Sequence, residues 1–226
     1  MFGRTASTVR FDCRALLRRV AYFVPLLWIA TIVGGLGALQ VYKSRPGHSG
    51  QTPAVFTEWD SGIDSQRRPR LLMFLHPQCP CSRASLHELA EIVARNPGKA
   101  TVELVFVNPK DAGPEWANTA LRQQAAAIPN VRLIDDDGTL AHRLGAETSG
   151  YVVLYDADGK LLFHGGITRS RGHEGDNAGR QAICALLAGN TDAPRGEKTP
   201  VYGCPLFTSG TCADPSCSAD RTGKSP

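Results

Sequence analysis

Apolar residues are distributed along this chain in two unlike ways. From Val20 to Val41 the sequence reads VAYFVPLLWIATIVGGLGALQV, without one Asp, Glu, Lys or Arg. A helix of roughly 20 such residues is what a hydrocarbon core about 30 Å thick requires. Further on, apolar positions come in short bursts between polar, Gly- and Pro-bearing loops. RLLMFL (70–75) is continuously apolar after its Arg, the mark of a strand covered on both faces. Leu86, Leu89, Ala90 and Val93 then recur at i, i+3, i+4 and i+7, one buried helix face, with Ser82 placed to cap its start and NPG (96–98) to stop it. TVELVFVN (101–108) and VRLIDD (131–136) read as strands, with a helix over Trp116–Ala127 between them by propensity. YVVLYDADGKLLFHGG (151–166) is a hairpin about Asp158-Gly159. A last helix over 175–188 buries Ala182, Ile183, Leu186 and Leu187, with Asp176 or Asn177 as its cap. The order β-α-β-α-β-α-β-β-α predicts an α/β domain with helices layered on a sheet.

This patterning divides the chain into a basic segment (1–19), a membrane anchor (20–41), a tether (42–55), one α/β domain (56–189) and an irregular, Cys-containing tail (190–226). Within that tail, PVYGCPLF (200–207) is apolar enough to dock back on the domain.

Charge gives the anchor a direction. Arg4, Arg10, Arg14, Arg18 and Arg19 precede it against the single acid Asp12, and only Lys43 and Arg45 follow closely. That bias predicts a single-pass protein with its amino terminus in the cytoplasm and its main domain in the periplasm or another extracytoplasmic space. A cleaved signal peptide is the competing reading. Its apolar region would be shorter, about 7–15 residues, and no small-x-small site precedes Lys43. With the amino-terminal arginines set aside, the net charge of +4 leaves no basic stripe for nucleic acid. The expected partners are the membrane and a thiol/disulfide protein or small-molecule redox partner.

Export makes cysteine chemistry a live question, because disulfides persist outside the cytosol. Of seven cysteines, all but Cys13 lie beyond the anchor. The stretch FLHPQCPCSR (74–83) sets Cys79 and Cys81 between a strand and a helix start. Free backbone N–H groups and the dipole at that end stabilise a thiolate, and a protonated His76 would add positive potential.

FLHPQCPCSR resembles the active-site stretch of thioredoxins, aligning without a gap so that Phe74, Pro77, Cys79 and Arg83 match. Together with the anchor, SRGHEGDNAGR (170–180) and TPVYGCPL (199–206), the chain from about residue 15 to 206 resembles the RedB-like proteins, a membrane-anchored bacterial branch of the thioredoxin-like superfamily. The resemblance implies a thioredoxin-like three-layer domain behind one amino-terminal transmembrane helix. It also marks departures. Ser82 takes the place of the second active-site cysteine and Cys81 that of the intervening proline. The cis-proline that faces the cysteines in thioredoxin-like proteins is replaced by Gly150 or Ser149.

Three chemistries suit these residues. The first is thiol–disulfide exchange, or reduction of a small oxidant, with Cys79 as nucleophile and Cys81, or alternatively Cys204, as resolving thiol; no cofactor is expected for it. The second is a non-catalytic copper or zinc site built from Cys79, Cys81, Cys204 and one of His76, His164 or His173. The third is a permanent disulfide from the loop to Cys204 that pins the tail. The loop RSRGHEGDN (169–177) is either a solvated helix entry or a second wall of the site, with His173 and Glu174 in supporting roles and arginines holding an anion. Cys184 reads as a core residue, and Cys212 with Cys217 as a local pair.

Overall fold

The computed structural model describes residues 13–57, 67–108, 113–190, 193 and 195–207. The chain divides into two compact units, Met1–Tyr42 and Lys43–Pro226. The helix of the first, α1 (Cys13–Ser44), exceeds the predicted anchor at both ends. Its stretch Ala21–Ser44 is long and apolar enough to cross a membrane, and Phe23, Leu26, Leu27 and Trp28 stand outward from it.

The second unit is built on a six-stranded mixed sheet in the order β3-β2-β1-β4-β5-β6. β1 (Arg70–Leu75), β2 (Thr101–Val107) and β3 (Val131–Asp136) run parallel to one another. β4 (Tyr151–Tyr155) pairs antiparallel with β1, and β5 (Leu161–Gly166) returns antiparallel beside it. β1 is central, so both its faces must be covered. Leu71, Met73 and Leu75 join one core with Leu86, Leu89 and Ile92 of α2 (Ser82–Arg95) and Ile183 and Leu187 of α6 (Ala178–Leu187). Leu72 and Phe74 join the other, with Ala141 of α5 (Thr139–Arg143) and Tyr151, Val153 and Tyr155 of β4. The result is the thioredoxin-like layered α/β domain that the sequence resemblance implies.

The residues read as tether and tail complete this second core. Instead of standing free, 47–55 lie along the domain: Gly50 N–H donates to the Gly145 carbonyl (2.9 Å), and Phe56, the first residue assigned to the domain, donates its N–H to the Gly159 carbonyl (2.8 Å) and buries its side chain. The tail expected to be irregular supplies β6 (Glu197–Thr199), parallel to β5, while PVYGCPLF docks as expected and buries Val201 and Leu206 against the same face. The physical reason is simple: α5 alone is too short to cover that side of the sheet.

Two helix readings are also corrected. The helix expected over 116–127 is two pieces, α3 (Pro114–Ala117) and α4 (Ala120–Ala126), because Thr119 leaves helical geometry and accepts the Arg122 N–H (3.3 Å) as a cap. Ser82 is the first residue of α2 and not its cap; Cys81 takes the cap position, and the Ser82 hydroxyl turns elsewhere. The final helix is capped by Asn177, whose side-chain oxygen accepts the Arg180 N–H (2.8 Å).

Candidate functional site

β1 ends at Leu75 and α2 begins at Ser82, so the loop between them must reverse within six residues. It does so in two hydrogen-bonded turns: Cys79 N–H donates to the His76 carbonyl (3.1 Å), and Ser82 N–H to the Cys79 carbonyl (3.2 Å). Pro77 and Pro80 stiffen them. Cys79 is left only 3 % exposed, while Cys81 is half-buried.

The loop before β4 forms the facing wall. His76 N–H donates to the Ser149 hydroxyl (2.7 Å), which lies 2.6 Å from the Ser82 hydroxyl. Because Ser149 already accepts from His76, its own hydrogen is available for Ser82, and the Ser82 hydrogen for the Cys79 sulfur. This chain of donors ends on sulfur. Gly150, next in line, donates its N–H to the Phe74 carbonyl (2.8 Å) with φ of +90°. A Cβ there would lie 2.7 Å from the Ser85 hydroxyl, so glycine is required both by dihedral and by space.

The third wall is the tail. Ser149 N–H donates to the Cys204 carbonyl (2.8 Å) and Leu206 N–H to the Glu147 carbonyl (2.8 Å), with Thr148 and Pro205 bridged antiparallel between them. Gly203 passes so close that a Cβ on it would lie 1.9 Å from the Ser149 carbonyl oxygen. The Arg171 guanidinium donates to the Gly203 carbonyl. These contacts bring the sulfurs of Cys79, Cys81 and Cys204 within 4.8 Å of one another.

The three thiols are electrostatically unlike. Burial pushes the Cys79 thiol up, but hydrogen bonds from the side chains and backbones of Ser82 and Cys204 outweigh it, and the net direction is down. Cys81 is raised by burial and by the nearby Cys79 charge, with Arg171 working in the opposite sense. Cys204 is pushed up to about 12, by burial first and then by its hydrogen bond to Cys79 and the charges of Cys79 and Cys81. The arrangement favours one thiolate, Cys79, held by the Ser82 hydroxyl, the Cys204 thiol and the backbone of both residues.

Not every residue singled out by sequence joins this cluster. His76 is at its edge, its ring edge-on to Trp116 at 5.2 Å and its Nδ1 accepting the Gln78 N–H (3.1 Å). Burial holds its pKa below the ordinary value, which works against the positive potential expected of it. Arg83 is exposed on α2. His173 is exposed, and Glu174 faces His87 at 3.8 Å. Their loop is turned by a buried anchor: the Glu88 carboxylate accepts from Gly175 N–H (2.6 Å), Asn177 Nδ2 (3.1 Å) and Arg180 (2.6 Å). Arg171 is the residue of this loop that reaches the sulfurs. His164 bonds the Tyr151 hydroxyl (2.9 Å) instead. Among the described residues, the close group of sulfur, imidazole and carboxylate ligands at the site is therefore the three cysteines, without the histidine expected for a metal. Cys184, on α6, packs partly buried against the core. Cys212 and Cys217 lie outside the described residues.

Sequence reasoning missed Glu88 and did not separate Ser149 from Gly150 or Arg171 from its neighbours. The signal for Ser149 was its position just before the hairpin strand. Glu88 gave none beyond an acid at a helix position next to the apolar face.

No family model and no curated protein matches the chain. Among solved structures it is similar to a hypothetical protein of Sinorhizobium meliloti 1021, at 22% identity over 74% of this chain and 99% of that one, TM-score 0.52. A conserved protein from Geobacillus kaustophilus is similar at 20% identity over 74% and 94%, TM-score 0.52. A secreted Mycobacterium tuberculosis disulfide oxidoreductase, homologous to E. coli DsbE, matches at 20% identity over 54% and 82%, TM-score 0.39. The two broader likenesses show the fold alone, that of a layered α/β domain.

Proposed function

We propose that this chain is a membrane-anchored thiol–disulfide oxidoreductase of the RedB-like kind, with its domain on the extracytoplasmic side and Cys79 as nucleophile. One observation carries the reading: a nearly buried sulfur on which hydrogen bonds from Ser82 and Cys204 converge strongly enough to overcome burial. A thiolate so held attacks a disulfide sulfur, forms a mixed disulfide and expels one substrate thiol. A second thiol of the cluster then displaces the other. Ser149 and Ser82 orient the donors, and Gly150 lets the facing wall approach. The arginine excess ahead of α1 supports the orientation. A protein or small molecule carrying a disulfide is the substrate class.

A second reading has its own support. Three sulfurs within 4.8 Å of one another form a soft donor set. It suits copper(I), and suits zinc less, since zinc takes four ligands in structural sites. Cys79, Cys81 and Cys204 would hold the ion.

The deciding experiment uses full-length protein in detergent micelles. Wild type should exchange with a small aromatic disulfide in a fast phase at neutral pH, Cys79→Ser should lose that phase, and Cys184→Ser should match wild type. Absence of exchange in the wild type, with one equivalent of copper(I) retained through gel filtration, would favour the metal reading.

A further inference from the structure

We propose that the thiol completing exchange is Cys204, delivered by the docked tail, so that the working disulfide joins Cys79 to Cys204 and leaves Cys81 outside the pair. This inference rests on the oxidoreductase reading and assigns the resolving group within it.

The geometry separates the two candidates. Cys81 follows Cys79 across Pro80 in a single turn. That turn is closed by the Ser82 N–H on the Cys79 carbonyl, and Cys81 itself is already in helical geometry (φ −69°, ψ −26°) as the cap of α2. A bond from Cys79 to Cys81 would close a small ring on a backbone fixed three times over, by proline, by hydrogen bond and by the helix start, a setting that favours strain. The position that would carry the ordinary second cysteine holds Ser82, whose hydroxyl is committed to Ser149 and Cys79.

Cys204 has none of these constraints. It enters from a separate segment, hydrogen-bonds Cys79 through both side chain and backbone, and is held by backbone pairing on either side of it. Gly203 lets that segment lie against Ser149, and Arg171 grips the Gly203 carbonyl. Arg171 is thus a positioning residue for the tail. These contacts give Cys204 the preorganisation that makes an intramolecular step fast.

The electrons balance without a further reagent. The Cys79 thiolate attacks one sulfur of the substrate disulfide; a Cys79–substrate bond forms, the substrate S–S bond breaks, and one substrate thiolate leaves and takes a proton. The Cys204 sulfur, giving up its proton, attacks the Cys79 sulfur. The Cys79–Cys204 bond forms and the second substrate thiol departs. The substrate disulfide has gained two electrons, and the protein pair has lost them.

The test treats reduced full-length protein in detergent with glutathione disulfide, quenches with acid over a time course and maps cysteine linkages by mass spectrometry. Wild type should show a Cys79–Cys204 linkage and no lasting glutathione adduct, and Cys81→Ser should do the same. Cys204→Ser should retain glutathione on Cys79, with clearance slower by roughly 100-fold or more. Gly203→Val keeps every thiol but cannot lie against Ser149, and should slow clearance in the same direction. A Cys204→Ser protein that clears the adduct at the wild-type rate through a Cys79–Cys81 bond overturns the assignment while leaving Cys79 as nucleophile. Unchanged clearance in Gly203→Val overturns delivery by the tail. No glutathione on Cys79 in the Cys81→Ser, Cys204→Ser double variant defeats both readings together.

Discussion

Ser82 shows how one residue can stand in for another's chemistry. It occupies the place of a thiol in the thioredoxin pattern, and its hydroxyl becomes the last donor of a chain that starts at the His76 backbone and ends on the Cys79 sulfur. Removing it leaves the burial that raises the Cys79 pKa and deletes a hydrogen bond that lowers it. The sign is therefore fixed. Iodoacetamide alkylation of wild-type Cys79, followed against pH, should reach half its limiting rate below the ordinary thiol value of about 8.5. In Ser82→Ala that midpoint should move up by roughly one to two pH units, since a hydrogen bond to a charged group contributes roughly 1.5–3 kcal/mol and one unit corresponds to about 1.4. A midpoint that stays put would mean that Cys204 and the backbone hold the thiolate unaided. At this scale much of the site was legible in sequence. Cys79, Cys81 and Cys204 stand out by type and setting, and the fold brings them together. His173 and Glu174 stand out by type alone, and the turn anchored on Glu88 leaves them exposed while Arg171 faces the sulfurs. Nothing in one-dimensional spacing distinguishes the two faces of a glycine-rich turn.

Among the elements, α2 and α6 share more than apolar packing. The Glu88–Arg180 pair lies between them at 2.6 Å, with Glu88 fully buried, and the same carboxylate caps the turn into α6 through Gly175 and Asn177. Truncating Glu88 removes its hydrogen bonds with Gly175, Asn177 and Arg180 and leaves the buried Arg180 guanidinium with Asp176 (2.9 Å) as its remaining carboxylate. Glu88→Ala should lower unfolding free energy by roughly 3–5 kcal/mol in urea titration. A loss below about 1 kcal/mol would show that water reaches Arg180 and that the pair is only positional. The elements themselves were mostly predictable where a side-chain period spoke, as in β1, α2 and the β4–β5 hairpin. They are less legible where cover is at stake. Val201 and Leu206 lie in PVYGCPLF and dock as its apolar character predicts, but the seating of 47–55 along the domain and the strand at Glu197–Thr199 lie in Gly- and Pro-bearing stretches that look like linker. A lone apolar residue in a polar segment carries no period, so only the vacancy in the sheet's cover reveals its place.

For the whole molecule, the long apolar helix and the domain are separate units, and the arginine excess ahead of the helix is what supports the proposed extracytoplasmic placement of the domain. A reporter enzyme active only after export, fused after Phe207, should be active, and the same reporter fused ahead of Arg4 should be silent. The reverse pattern at equal expression would place the cysteines in a reducing compartment. The tail's pairing with Glu147–Ser149 has a thermodynamic side as well. A bond from Cys79 to Cys204 closes a loop of roughly 125 residues, almost the entire domain, and on chain-entropy grounds removes about 5 kcal/mol from the unfolded state. By the closed cycle the fold acts on the bond to the same extent. Holding the two sulfurs together makes the disulfide harder to reduce than one in an unfolded chain by on the order of 100 mV for a two-electron couple. Residues 197–206 then work as a tuning element: loosening that segment from the sheet raises the reduction potential without touching a sulfur.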